Sequence, residues 1–389
     1  MASGSEKGDR DANRSQSSLL IERKDLFEET SSVISGGPRV YKLVLHEEYA
    51  QGKYRKLQFG TEKTLKQHKI IMMVGATGSG KTTLINALIN YILGVKWEDN
   101  YRLILIKENT NRSQAHSQTS EVSAYQLNYI EAFTVPYNLT IIDTPGFDDT
   151  RGRDHDKEIP KQLKLCFDSP GSISHIDAIY FVLQSSLARL TSTQEYIFSS
   201  VLSIFAKDIE KNIQICATFA DAGKPMVLQA LIEGKVPCLK NQAGSPVCFK
   251  FNNCALYAKN SKKKDGSSLL MDLWKTGQLS SKKLLKCLNN GISKSLALTK
   301  EVLEKREELK AILDELDELM MMKKKAMVLI KKASDILKRL QEIALIPDPL
   351  TVNDYIDLLI RKERQEGKEG FQEKIASLEA FKIYSNNNM

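Results

Sequence analysis

The six cysteines of this 389-residue chain (Cys166, Cys216, Cys238, Cys248, Cys254 and Cys287) include no C-x-x-C pair. That argues against a zinc ribbon or a dithiol redox centre, so reduced, structural thiols are expected and a metal site built on them is not. No apolar run approaches the roughly 20 residues that span a bilayer, and the opening MASGSEKGDRDANRSQSS lacks the apolar core of a signal peptide. Ala2 stands where N-myristoylation needs glycine, and the closing NNNM carries no cysteine for prenylation. A cytoplasmic protein is expected. Aromatic residues make up only 7% and do not interleave with arginine as a base-stacking surface requires, so nucleic acid is not an expected partner. The net charge of +8 is modest but uneven: Lys259 with Lys262 to Lys264, then Lys282, Lys283 and Lys286, then Lys323 to Lys325 with Lys331 and Lys332. Such clusters read first as solvated faces and second as a surface for an acidic partner or the periphery of an anionic membrane.

Against these absences stands one dense motif. Gly75 to Thr82 reads GATGSGKT, preceded by the mostly apolar Lys69 to Val74 and followed by Thr83 to Leu93, apolar at helical spacing. A glycine-rich turn between a buried strand and a helix aims backbone N–H groups inward, and the helix N-terminus adds roughly half a positive charge. Gly75, Ala76, Thr77, Gly78, Ser79, Gly80 and Thr83 would wrap a nucleotide's phosphates, Lys81 would reach the β- and γ-phosphates, and Thr82 would put its hydroxyl on Mg²⁺. A second motif, LTIIDTPG from Leu139 to Gly146, delivers Asp143 at the end of an apolar strand, where a carboxylate can hold a Mg²⁺-bound water. Gly146 supplies a backbone N–H that can bond the γ-phosphate and lose that bond on hydrolysis. D-T-P-G about sixty residues after the loop points to the GTPase branch of the fold, and no LSGGQ-like segment suggests a coiled-coil ATPase. A switch threonine must lie between the two motifs, and Thr119, in HSQTSEV, is the candidate for contact with Mg²⁺ and the γ-phosphate.

The base should be read at the end of a later strand, IQICATFAD, where Thr218 to Asp221 occupy the place of a T/N-K-x-D motif. Asp221 offers acceptors for the donor edge of guanine, which adenine lacks. Phe219 stands where lysine is usual and offers a ring for the same face of the purine. Ras-type enzymes place a water-orienting glutamine shortly after the motif glycine, but here Phe147 follows Gly146. Intrinsic turnover should therefore be slow, completed either by a polar residue of the DDTRGRDHD segment that aligns the water or by Arg151 or Arg153 supplied across a dimer of nucleotide domains.

Taken together, GATGSGKTT, DTPGF, the LARLTSTQEYIFSSVLSIFAKDI segment and KFNN at Lys250 to Asn253 resemble the avirulence-induced-gene (AIG) type of P-loop GTPase. That family includes the immunity-associated nucleotide-binding proteins and is similar to septins and chloroplast-import GTPases. The resemblance covers roughly Lys69 to Tyr257 and implies a Ras-like three-layer fold, nucleotide-controlled dimerisation, and a loop beside the base formed by Asn252 and Asn253.

Alternation of strands and helices predicts an α/β fold with a mostly parallel sheet and the nucleotide at the carboxyl ends of its strands. Residues 1–36 read as a solvated tail, 37–290 as the nucleotide domain, 296–345 as one long heptad helix and 346–389 as short C-terminal helices. RVYKLVL, from Arg39, reads as a strand that pairs with Tyr54 to Phe59. In the heptad stretch Val302, Leu309, Leu316, Ile330, Leu337 and Ala344 fill one seam position, and Ile312, Leu319, Ala326, Ala333 and Leu340 the other. An unbroken helix there would extend roughly 60 Å, which demands a partner: either an intermolecular coiled coil or helices of the same chain. Two functions follow: a GTP-driven assembly switch that hydrolyses slowly, and a non-catalytic GTP-binding scaffold acting through its coiled coil.

Overall fold

Continuous apolar runs such as AIYFVL and IQICAT belong in strands covered on both faces, and they form the centre of an eight-stranded sheet in a computed structural model of the chain. The residues described are 23–30, 37–61, 66–107, 121–147, 153–169, 173–190, 192–259, 267–318, 323–345, 351–366 and 371–387. They divide between two compact units, one within Met1–Ile197 and Lys211–Lys294, the other within Phe198–Glu210 and Ser295–Met389.

In chain order the first unit contains β1 (Phe27–Thr30), β2 (Arg39–Leu43), β3 (Leu45–Gln51), β4 (Tyr54–Phe59), β5 (His68–Val74), α1 (Lys81–Ile92), β6 (Tyr101–Ile104), β7 (Val122–Leu127) and β8 (Asn138–Asp143). It continues through α2 (Arg153–Asp168), β9 (His175–Ile176), β10 (Ala178–Gln184), α3 (Ser192–Leu202), which runs on into the second unit, β11 (Ile213–Thr218), α4 (Val227–Glu233), β12 (Cys248–Lys250) and α5 (Ser267–Asn290). The large sheet has the order β12-β11-β10-β5-β8-β7-β4-β3. Its strands from β12 to β8 run parallel, β7 is antiparallel to β8, β4 parallel to β7 and β3 antiparallel to β4. The carboxyl ends of five parallel strands thus gather at one edge, where the turn from Gly75, Asp143 and the segment from Thr218 to Asp221 emerge.

Helix α1 buries Leu84, Ile85, Leu88, Ile89 and Ile92 in the core, and full burial of each such side chain contributes roughly 1.5–3 kcal/mol. Its two buried asparagines hydrogen-bond to backbone rather than pack as apolar groups. Asn86 Oδ1 accepts from the Leu105 and Ile106 amides (2.9 and 3.1 Å) while its Nδ2 donates to the Ile106 carbonyl; Asn90 likewise bonds both backbone groups of Leu103. Spaced four apart on one helical face, they bond the backbone of β6 and of the two residues that follow it. At the opposite end of β5, Lys69 forms a buried ion pair with Asp177 (2.9 Å), whose carboxylate also accepts from the Ile70 amide and the Ser293 hydroxyl.

Three expectations change. The solvated tail contains β1, with Leu26 and Phe27 buried in the core, because Phe27–Thr30 pairs antiparallel with β2. RVYKLVL divides at Val44 into β2, which joins β1 and β6 in a separate three-stranded sheet, and β3, which is the actual partner of Tyr54–Phe59. The heptad stretch is two helices, α6 (Ala297–Glu318) and α7 (Lys323–Ile343). They pair antiparallel, Arg339 near the end of α7 bonding Glu301 near the start of α6 at 2.7 and 3.1 Å. Val302, Leu309, Ile312, Ile330, Ala333, Leu337, Leu340 and Ala344 are buried in one cluster with Ile356, Ile360 and Leu378 of α8 (Val352–Glu366) and α9 (Phe371–Asn387). These eight seam positions pack within the chain, while the side chains of Leu316, Leu319 and Ala326 lie outside those described. Thr351 and Asp354 cap α8 reciprocally, as their spacing predicts. Among the described residues no helix is long and apolar enough to cross a membrane.

Candidate functional site

From Val74 the chain turns through residues 75–80 into α1, with Gly80 as N-cap at φ 87°, a left-handed conformation that a side chain would strain. No side chain caps this end, so the first-turn amides of α1 are presented toward the loop. Lys81 folds back over the turn: its ammonium donates to the Gly75 and Ala76 carbonyls at 2.9 and 3.1 Å and is 7% exposed. Burial lowers its pKa from 10.5 to about 8, opposed by the negative charge of Asp143. Asp143 itself is completely buried at the end of β8.

The two phosphate motifs are one backbone assembly. The Thr77 amide donates to the Phe147 carbonyl (2.9 Å) and the Phe147 amide to the Gly75 carbonyl (3.3 Å), forming a parallel bridge between Ala76 and Phe147. A methyl group at Gly146 would collide with the Thr77 hydroxyl and lie 2.8 Å from the Thr77 Cα, so only glycine permits this approach. Thr144 secures the same segment by donating to the Met73 carbonyl. Phe147 is 1% exposed and presents no polar group to an attacking water. The hydroxyls of Thr77 and Ser79 are buried without a hydrogen-bond partner among the described residues. Two orphaned hydroxyls and a desolvated ammonium in one glycine-rich turn form a donor set that fits a polyphosphate.

The segment expected to read the base follows β11. Thr218 is buried, its hydroxyl 2.7 Å from the Ser79 carbonyl and 3.0 Å from that of Leu183. It braces the phosphate loop, and its hydroxyl is committed there rather than to a base. Asp221 is exposed, one carboxylate oxygen accepting from the Gly223 amide (2.9 Å). Asn252 donates to the Ala220 carbonyl and accepts from the Cys254 amide, and Asn253 opens the following turn, so the KFNN segment does lie alongside Asp221. Lys250 Nζ donates to the Ala222 and Gly223 carbonyls at 2.9 and 3.0 Å.

Thr82 and Thr83 lie half-buried in the first turn of α1, next to Lys81. Thr119 and Arg151 fall outside the described residues, and of Arg153 only its place at the start of α2 is described. No motif marks Lys250 as a clamp, nor Arg102, a fully buried guanidinium inside an apolar strand. Arg102 donates to the Leu256, Asp99 and Tyr101 carbonyls and stacks on Trp274 at 4.4 Å, with burial lowering its pKa to about 10. It ties β6 to the turn that follows Asn253. The one sequence signal was a cation in YRLI, otherwise an apolar strand.

A septin family model matches residues 67–158, spanning the phosphate loop, Asp143 and Gly146. No curated protein sequence matches the chain. Among solved structures, Toc33 of Arabidopsis thaliana as a dimerisation-deficient mutant is 13% identical, covering 56% of this chain and 85% of that one with a TM-score of 0.33. Toc33 of Arabidopsis thaliana with Mg²⁺ and GMPPNP is 12% identical over 55% of this chain and 85% of that one, with a TM-score of 0.31.

Proposed function

We propose that this chain binds GTP or GDP with Mg²⁺ and hydrolyses GTP slowly, with hydrolysis coupled to self-association of its nucleotide domain, as an AIG-type GTPase of the cytoplasm. The observation that carries this reading is the bridge between Ala76 and Phe147, which makes the loop for the phosphates and the segment for the γ-phosphate one hydrogen-bonded unit. The septin match over residues 67–158 supports the same chemistry.

Lys81 exchanges the Gly75 and Ala76 carbonyls for phosphate oxygens, while the Thr77 and Ser79 hydroxyls gain the partners they lack. Thr82 and Asp143, with Thr119, would hold Mg²⁺, which neutralises charge on the β- and γ-phosphates when bound. Gly146 carries the N–H that responds to the γ-phosphate. Asp221 accepts from the donor edge of guanine, while Thr218, Asn252 and Asn253 keep that loop in place. Because Phe147 cannot orient water, Arg151 or Arg153 of a second molecule completes the catalytic site. An acidic partner or anionic membrane surface is the remaining reading for the lysine clusters.

The buried Phe147 also favours a second reading, a scaffold that holds nucleotide without turning it over. Single-turnover hydrolysis of radiolabelled GTP separates the two. A rate that climbs with protein concentration, and falls in Arg153→Ala at unchanged nucleotide affinity, supports the switch; no phosphate release at any concentration supports the scaffold.

A further inference from the structure

Phe219 is held in an unfavourable conformation with most of its surface left in solvent. Its φ is 51°, in the left-handed region that bulky side chains avoid, and the residue is 61% exposed. Four hydrogen bonds fix the backbone around it. The Ser185 amide donates to the Thr218 carbonyl (2.8 Å) and the Ser185 hydroxyl to the Phe219 carbonyl (3.1 Å), while the Ala220 amide donates to the Phe251 carbonyl (3.0 Å) and Asn252 to the Ala220 carbonyl (3.2 Å). The ring borders the phosphate loop: its Cε2 lies 3.7 Å from where a Cβ on Gly80 would stand, with no side chain at Gly80 to intervene. Strain held in place by its surroundings, an aromatic face left in solvent, and a position at the rim of the phosphate site are together the signature of a ligand contact rather than of a core residue.

We propose that Phe219 is a stacking platform for the purine, so that affinity for the base and choice between bases reside on different residues. This rests on the nucleotide reading above. Aromatic faces stack on any base because every base has a π-face, so the ring adds affinity without discrimination. Selection falls to Asp221, whose acceptors match the N1–H and 2-amino donors of guanine. Its loop is steadied by a lysine from another strand: Lys250 of β12 grips the Ala222 and Gly223 carbonyls, acting as a positioning residue. A motif that usually places cation and purine cover in one lysine is here divided between Phe219 and Lys250.

The test titrates the wild-type chain, Phe219→Gly, Phe219→Trp and Asp221→Ala with Mg-GDP, Mg-IDP and inorganic tripolyphosphate, alongside thermal melts without nucleotide. Glycine relieves the left-handed strain, so Phe219→Gly should melt at a higher temperature and yet bind GDP and IDP about tenfold more weakly. The GDP-to-IDP ratio and the tripolyphosphate affinity should stay unchanged, and Phe219→Trp should retain binding. Asp221→Ala should erase the GDP-to-IDP preference. Unaltered GDP affinity in Phe219→Gly overturns the platform while leaving nucleotide binding intact. A lower melting temperature with all three ligands weakened alike also overturns it, as a structural role. If the wild-type chain binds neither GDP nor tripolyphosphate, the nucleotide reading fails and the platform with it.

Discussion

Deprotonation of Lys81 perturbs the candidate site without any mutation. In the nucleotide-free chain its ammonium is buried against neutral carbonyls, and its pKa falls from 10.5 to about 8, a difference worth about 3 kcal/mol. A polyphosphate supplies the negative charge that burial removed, so the pKa rises on binding. Binding above pH 8 must therefore take up a proton. Free Lys81 is about nine-tenths neutral at pH 9, which weakens nucleotide binding roughly tenfold relative to pH 7. Below pH 7 this contribution is flat. Isothermal titration in two buffers of different ionisation enthalpy should show about half a proton taken up at pH 8 and approaching one at pH 9. Lys81→Arg, whose guanidinium does not titrate in this range, should lose that uptake, while any ionisation of the nucleotide itself appears in both proteins. The stability of the free chain carries the opposite sign. Its folded pKa lies below the unfolded one, so the penalty is fully present below pH 8 and is relieved as pH rises from 8 toward 10.5. Tight binding at pH 9 with no proton uptake would refute the assignment of Lys81 as the phosphate-facing cation.

Other perturbations test the frame that holds the site. Asn86→Ala leaves the Leu105 and Ile106 amides without their acceptor and should cost at least about 2 kcal/mol, read as a lower urea midpoint at unchanged slope. Lys69→Met strands the buried Asp177 carboxylate and should cost about 3–5 kcal/mol, while Lys69→Met with Asp177→Leu should recover much of it. Leu340→Ala, in the cluster between α6 and α7, should destabilise the helical unit by about 2–5 kcal/mol. Its mass by light scattering should not change, because that seam faces the chain's own helices.

The strand, turn and helix of the candidate phosphate site were legible because they lie in consecutive residues: an apolar strand, a left-handed Gly80 and Lys81 at the helix start. Asp143 was legible for the same reason, at the end of NLTIID. What the sequence hid were choices between partners. The Val302 to Ala344 seam has the same period whether its partner is another molecule or the same chain folded back, so α6 and α7 could not be separated from one long helix by periodicity. Phe27–Thr30 carries too few apolar residues to stand out from a polar tail, and becomes a strand only beside β2. Thr218 sits where base-reading motifs begin, yet its hydroxyl turns to Ser79, a contact across 139 residues that spacing alone cannot reveal. Asn86 and Asn90 lie within the apolar α1 and link it to β6 and the residues just after it, contacts that helical spacing alone does not reveal.

The central claim is that a guanine nucleotide is gripped by the turn from Gly75 to Thr82 and sensed through the Gly146 segment paired with it. Calorimetric titration of nucleotide-stripped protein with Mg-GDP, a non-hydrolysable GTP analogue and Mg-ATP tests it most directly. Saturable heat with both guanine nucleotides, much weaker binding of ATP, and loss of all binding in Lys81→Met are predicted. No heat with either guanine nucleotide, or ATP bound as tightly as GTP, would contradict it.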